Sequence, residues 1–417
     1  MATGKSKSGG TGEPDHNGDA GASHRTTTHT GWDPVAAECD PRPNTIGAAI
    51  DPELHRLLNC RSDRIGLACL AVHLGALASL WAMQDAAAAA AAGPGWAAAA
   101  VGGELVLAVA TGVMLTFLFC PIHECLHHTA FRSRWLNDAV AAGAGALLLL
   151  PPLYFRLFHW DHHRHVQDPE RDPEIRWSAF ATKQPTHKTA ATAATRADAE
   201  EGDEVKLFPG RAQDWVLALS GYGYWLERVS TTLRYALGRC SPADGFVRQK
   251  DRRAVIDEAR RYCALYLALL LAGAAAPGTI GTALLRHWVV PALLGQPFLR
   301  LYLMYEHSGC ELDRHRPSPL GGSAVRGAPA TVEPAAAAAR AFRHSRSWAD
   351  TDAVFPRWVV LYLFWNMPYH AEHHMLPAVP FHALPGLRGH MLAALRRKGW
   401  EDRANSQCNR LGPQQRR

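Results

Sequence analysis

Three short histidine groups have the residue types and spacing to hold metal. They are His123, Glu124, Cys125, Leu126, His127, His128; His159, Trp160, Asp161, His162, His163; and His370, Ala371, Glu372, His373, His374. Imidazoles three or four residues apart share one face of a helix, so each group can aim several ring nitrogens at one point. With 22 His in 417 residues, a specified three-His pattern arises by accident about 0.06 times per chain, so a single group would say little. Two copies of His-x-x-His-His and a third related group, each beside an apolar run, say much more. A tract that merely scavenges metal would sit in one flexible polar segment. Imidazole sets with no Cys pair and few carboxylates suit Zn, Cu, Ni or Fe. Eight or more His exceed the capacity of one ion, which implies two metals. His55, His73, His187 and His287 stand alone and read as incidental or interfacial.

What must position these groups is a set of long apolar blocks. Overall the chain is 47% hydrophobic and 20% charged with a mean hydropathy of −0.15, which excludes collagen-like and wholly disordered chains and suggests a soluble protein. The mean hides two populations. Residues 65–83, 101–122, 262–285 and 287–306 are nearly uncharged and long enough to cross a hydrocarbon core. Arg56, Arg61 and Arg64 precede the first block, Arg132 and Arg134 follow the second, and Arg248 to Arg261 precede the third. The connection between the first two has no Lys or Arg, so the positive-inside rule puts both termini on the cytoplasmic side. The expected fold is all-α and integral to the membrane, with four transmembrane helices. A fifth stretch, Ala139 to Phe158, carries Pro151, Pro152 and Arg156 and reads as a buried or interfacial helix and turn.

The polar remainder divides into an N-terminal arm over 1–50 that reads as disordered and not as a secretory signal, linker-like inserts over 186–204 and 317–344, and a basic tail over 396–417. The span-bearing domain is then 51–395. Nine Cys without a Cys-x-x-Cys pair predict free thiols, and Cys120 and Cys125 read as small buried apolar residues.

The boxes, their order, their relation to the spans, and the run from Asn366 through His374 resemble the membrane fatty acid desaturase superfamily, in its bacterial-type branch. The similarity runs from about Asp51 to Met391 and includes Pro380 to Pro385. The resemblance implies a non-haem di-iron centre in a cytoplasmic helical cap above the four-helix stalk, with two Fe ions as cofactors and O2 as co-substrate. The ligands it implies are His123 and His127; His159, His162 and His163; His370, His373 and His374; and His307 at the end of the fourth span. His128 is the alternative to His127, because some members have a first box one residue longer. Acids that could fix the ring tautomers are Asp161 and Glu372, inside their boxes, and Glu306 and Asp168, with Glu124 and Asp172 also near. The segment between His307 and His370 departs from the family pattern by its Pro- and Ala-rich insert.

The implied reaction places a double bond in a fatty acyl lipid or thioester. Neither a dinucleotide fingerprint nor a fused cytochrome b5-like His-Pro-Gly-Gly motif occurs, so electrons are expected from a separate ferredoxin or cytochrome b5 with its reductase. A hydroxylase or ketolase acting on a fatty acid, carotenoid or other lipid is the alternative on the same scaffold. A membrane metal-binding or transport protein is a remoter one, disfavoured because its ligands should lie near the bilayer midplane. A multi-pass location in a cell inner membrane or the endoplasmic reticulum follows, with the catalytic face cytoplasmic and no nucleic-acid partner.

Overall fold

The computed structural model describes residues 52–58, 60–91, 97–177, 212–241, 244–307, 309–313, 334–347 and 356–400. The arm over 1–50, the insert over 186–204 and the tail beyond 400 lie outside them. Among the described residues every element is a helix, apart from an isolated bridge at Glu311. In chain order these are α1 (Pro52–Leu58), α2 (Asp63–Ala91), α3 (Ala97–Thr116), α4 (Phe119–Leu126), α5 (Arg134–Leu147), α6 (Pro152–His165), α7 (Pro173–Trp177), α8 (Ala212–Leu219), α9 (Tyr222–Ala236), α10 (Arg252–Ala275), α11 (Pro277–His307), α12 (Pro334–His344), α13 (Arg357–Tyr362), α14 (His370–Met375) and α15 (Leu384–Arg397).

Two stretches, Asp63–Ala90 and Gly102–Leu126, are long and apolar enough to cross a membrane. Their outward leucines and valines, such as Leu67, Val72, Leu74, Leu105 and Val106, are exposed, a surface that suits a hydrocarbon surround. Polar groups inside this layer are tied across helices. His73 Nε2 lies 2.8 Å from the Met114 carbonyl, Thr111 Oγ1 donates to Gln84 Oε1 at 3.1 Å, and Trp81 Nε1 donates to the His287 carbonyl at 2.9 Å. His73 is thus a cross-helix tie.

The other apolar stretches are bent. The chain turns by 101° between α5 and α6, at Pro151 and Pro152, and by 114° between α10 and α11, at Ala276 and Pro277. The first bend agrees with the reading of Ala139 to Phe158 as helix and turn. The second corrects the expected boundary near residue 286. The break falls at Ala276, whose φ of −134° and ψ of 67° leave the helix, and π turns follow at Pro277–Gly281 and Leu285–Val289. Pro277 supplies no amide for the preceding turn, but its neighbours are apolar, so hydropathy runs through the corner unmarked.

α11 crosses α3 with the two backbones in contact at Gly112 and Gly295, where a Cβ on either would overlap a carbonyl of the other helix. Thr116 Oγ1 also reaches the Gly295 carbonyl at 3.3 Å. Small residues permit such an approach between apolar helices. A separate core, formed by α1, α12, α14 and α15, buries Leu54, Phe342, Leu376, Leu387 and Met391. The end of the expected 317–344 linker is therefore corrected. Its last residues form α12, whose Ala335, Ala338 and Ala339 pack into this cap, because alanines at helical spacing bury one face as readily as they compose a loop. Cys60, Cys69, Cys120, Cys125, Cys240 and Cys263 are free. Cys310 is disulfide-bonded, a pairing that spacing alone does not reveal.

Candidate metal centre

Four helices converge on one buried point. α4 brings His123 and, at its C-cap, His127; α6 brings His159, His162 and His163; the last residue of α11 is His307; and α14 carries His370, His373 and His374. The loop that aims α14 is tightly built. Trp365 and Asn366 adopt φ of 50° and 52°, a left-handed pair uncommon for such residues, and Asn366 Nδ2 holds the Phe381 carbonyl at 3.0 Å.

The imidazoles form two sets. In one, His123, His127, His159, His163 and His373 each offer a nitrogen, and in the other His162, His307 and His374 do so, with all ligating atoms of a set within 4.8 Å of one another. His370 Nε2 joins the second, 2.9 Å from His307 Nε2 and 3.0 Å from His374 Nε2. Other Nε2 pairs are equally close, with His159 and His163 at 3.0 Å and His163 and His373 at 3.1 Å. Two nitrogens each ~2.1 Å from one ion and at right angles about it stand ~3.0 Å apart, so the spacing fits shared ligation. His123 Nε2 and both ring nitrogens of His127 are buried without a hydrogen-bond partner, which is costly unless something binds them. Burial first, then repulsion from neighbouring imidazoles, holds His127, His373 and His374 well below the usual histidine value. They are neutral, the state that ligates metal.

The Nδ1 atoms of His123, His162 and His307 meet acceptors, whereas those of His127, His163, His370, His373 and His374 are buried without a hydrogen-bond partner. His123 Nδ1 lies 3.2 Å from Glu124 Oε1, and that carboxylate is 4.0 Å from His373 Nδ1. His162 Nδ1 is 2.9 Å from Asp172 Oδ1 and 3.1 Å from Glu174 Oε2. His307 Nδ1 is 3.0 Å from the His344 carbonyl, so α12 orients a ring of the cluster. Of the four acids Asp161, Glu372, Glu306 and Asp168, Glu306 faces a ring of the cluster, 3.5 Å from His370 Nδ1. The other three need correction. Asp161 faces Arg164 and His165 at 3.8 and 3.9 Å, Asp168 accepts the amides of Glu170 and Arg171, and Glu372 accepts from Arg388 Nη1 at 2.8 Å and Ser347 Oγ at 3.1 Å.

His127 lies in the cluster and His128 does not. His128 has a φ of 55°, and its Nε2 lies 2.9 Å from Arg156 Nη1 and 3.3 Å from Asp138 Oδ1. Glu174 and the His344 carbonyl escaped sequence reasoning. Glu174 stands two residues beyond Asp172 in an acidic turn, a weak signal, and a carbonyl acceptor has none.

A cavity of about 370 Å³ opens onto His123, His159, His162 and His370 and is walled by Phe119, Phe155 and Phe158 together with α8 and α9. Fold and site define a class: an all-helical arrangement of the described residues with helices of membrane length and a nest of imidazoles fit for metal. The chain belongs to the fatty acid desaturase family, whose model matches residues 94–405. It is similar to the sn-1 oleoyl-lipid 12-desaturase of Synechocystis, with 24% identity over 66% of this chain and 64% of that protein. Shorter matches are to the sn-1 oleoyl-lipid 12-desaturase of Anabaena variabilis, 32% identical over 19% of this chain and 24% of the relative, and to a bifunctional desaturase/conjugase of Vernicia fordii, 34% identical over 15% and 16%. The chain thus spans somewhat under two thirds of the Synechocystis protein and a quarter or less of the other two.

Asp172→Asn removes the charge that orients His162 while keeping the shape. Metal affinity is expected to fall about 10- to 100-fold at one of two sites. Metal-to-protein ratios at limiting metal would read this, and an unchanged titration would refute the role.

Proposed function

We propose that this chain is an O2-dependent membrane oxidoreductase that introduces a double bond into a fatty acyl chain, using a di-iron centre and electrons from a separate donor. The observation that carries this is the division of nine buried or half-buried imidazoles into two adjoining sets at the end of a cavity lined in part by phenylalanines. The ligands would be His123, His127, His159, His163 and His373 for one iron and His162, His307, His370 and His374 for the other. Iron held there would supply O2 activation and hydrogen removal from an unactivated chain. The protein's own part is to orient the rings through Glu124, Asp172, Glu174 and the His344 carbonyl, and to exclude water with Phe119, Phe155 and Phe158.

The topology that accompanies this reading is four spans, α2, α3 with α4, α10 and α11, with the cap and both termini on the cytoplasmic side. The α5–α6 pair follows His127 and ends on His159, His162 and His163, all of them in the cluster, which supports its starting and finishing on that side. The donor proposed is a ferredoxin or cytochrome b5 with its reductase, and the basic run from Arg248 to Arg261 would face it. The names of the relatives favour an acyl lipid as substrate over a soluble thioester.

The test is expression in a host with a simple fatty-acid profile, together with iron analysis of the purified chain. Iron near two per chain, O2-dependent NADH consumption with added donor, and a new unsaturated acyl product are expected. A hydroxylated or keto product would move the chain to the hydroxylase or ketolase reading, and an iron-loaded chain with an unchanged profile and no O2 uptake would sink both.

A further inference from the structure

α9 carries its polarity the wrong way round for a helix in water. Tyr222, Leu226 and Leu233 on it and Leu237 at its end are 61%, 52%, 50% and 68% exposed, and with Val229 they form one row at helical spacing. Its charged residues Glu227, Arg228 and Arg234 are only half-buried to the inside of that row, and Thr231, Thr232 and Tyr235 are buried. A helix packed between a core and water turns these two faces the other way, so the exposed row marks contact with something apolar.

The position of α9 says what that is. Arg260 Nε, in the basic run near the start of α10, donates to the Ala236 carbonyl at 3.0 Å. Further along, Trp225 and Val229 share a groove with Tyr266, Leu267 and Leu270 of α10. α9 therefore runs beside the apolar block of α10 from its basic end inward, and its row continues the surface of exposed leucines that includes Leu265, Leu267 and Leu270. At ~22 Å α9 is too short to cross a hydrocarbon core, but an apolar face of this kind settles into the boundary between headgroups and acyl chains.

The turn that joins α8 to α9 also borders the cavity that opens onto the histidines. Leu217, Tyr222 and Gly223 line that cavity and are exposed as well, so they stand at its rim. Phe119 and Phe155 line its inner end, their rings 6.2 Å and 5.8 Å from those of His123 and His159. We propose that the α8–α9 turn lies in the bilayer and is the entrance to this cavity, so that an acyl chain still attached to a membrane lipid enters sideways from the hydrocarbon and not from water. Glu227, Arg228 and Arg300 also line the cavity and give the polar linkage of such a lipid a polar wall, while the phenylalanines take its chain. That the guest is an acyl chain rests on the desaturase reading above; the place of the entrance does not.

The test is photolabelling of the purified full chain in phosphatidylcholine vesicles, with no electron donor so that nothing turns over, by a phosphatidylcholine that carries a diazirine in one acyl chain. Peptide mass spectrometry should find adducts on Leu226 and Leu233, a second set on Phe155 and Phe158 inside the cavity, and none on Arg396 and Arg397, exposed on α15. Gly223→Trp is the decisive variant. A Cβ at Gly223 meets nothing within 4 Å, so the fold accepts the side chain, yet the indole stands at the rim. The variant should lose the adducts on Phe155 and Phe158, keep those on Leu226 and Leu233, and leave melting temperature and metal content unchanged. Absence of adducts on Leu226 and Leu233 would mean that water or a second copy of the chain covers α9. Cavity adducts that survive Gly223→Trp would put the entrance elsewhere, and stronger cavity labelling by a diazirine acyl chain presented on a soluble carrier protein would mean entry from water. Each of these three results would overturn the proposal. An unchanged fatty-acid profile in an expressing host would count against the oxidative reading alone, because labelling needs no turnover.

Discussion

His373→Ala is expected to abolish oxidation and to lower bound metal from two ions toward one, while the chain still inserts in the membrane. His373 sits in the centre of the five-histidine set, with its ring 4.4 Å from that of His123 and 4.6 Å from that of His127, and its Nε2 3.1 Å from His163 Nε2. It belongs to a six-residue helix, α14, that Glu372 pins to α15 through Arg388, so the alanine variant keeps its scaffold. A missing ligand leaves an open coordination position, and the remaining rings were arranged for a filled one. The paired comparison is sharper. His127→Ala should behave like His373→Ala, whereas His128→Ala should retain metal and activity, because the His128 ring is spent on Arg156 and Asp138. Metal analysis and turnover of the three variants decide it. Wild-type turnover in His373→Ala, or a dead His128→Ala beside an active His127→Ala, would reverse the assignment.

Gly112→Leu and Gly295→Leu are expected to unseat the crossing of α3 and α11. A Cβ at Gly112 would run into the Pro291 carbonyl and lie 2.7 Å from the Gly295 amide nitrogen, and a Cβ at Gly295 would run into the Gly112 carbonyl. These obstacles are backbone, so no rotamer relieves them, and even alanine must push the helices apart. Overpacking of this kind costs about 1–3 kcal/mol or more, and leucine lies at the upper end. The damage should also reach the metal, because α3 leads into His123 through α4 and α11 ends on His307. Melting temperature and metal content should therefore fall together. By contrast, a Cβ at Gly75 on α2 meets nothing within 4 Å, and Gly75→Ala should leave both unchanged. A Gly112→Leu variant as stable and as metal-loaded as the parent would refute the crossing.

The bend between α10 and α11 shows where sequence reading stops. Hydropathy reports the environment of each residue, and the corner at Ala276 and Pro277 is as apolar as the helices it joins, so the boundary was misplaced by about ten residues. The acids erred for another reason. Asp161 and Glu372 adjoin His162 and His373 in sequence, yet face Arg164 with His165 and Arg388, whereas Glu124, equally adjacent to His123, reaches its ring. Adjacency alone does not decide direction, and Asp172 and Glu174 arrive from another segment.

What the sequence determined by itself was the set of candidate ligands and the apolar blocks beside them. Helical spacing is a local property, so His-x-x-His-His presents one face wherever its helix goes. What only the tertiary structure decided was how nine rings divide between two sets, which of His127 and His128 turns inward, and which acceptors steady His123, His162 and His307. These depend on where helices far apart in the chain meet. His162 Nε2 lies 3.3 Å from His374 Nε2, 212 residues away, and His307 leans on the carbonyl of His344, within a segment whose composition reads as linker. No spacing rule reaches across such distances, because packing of helix against helix, and not periodicity within one, sets the positions of the ring nitrogens.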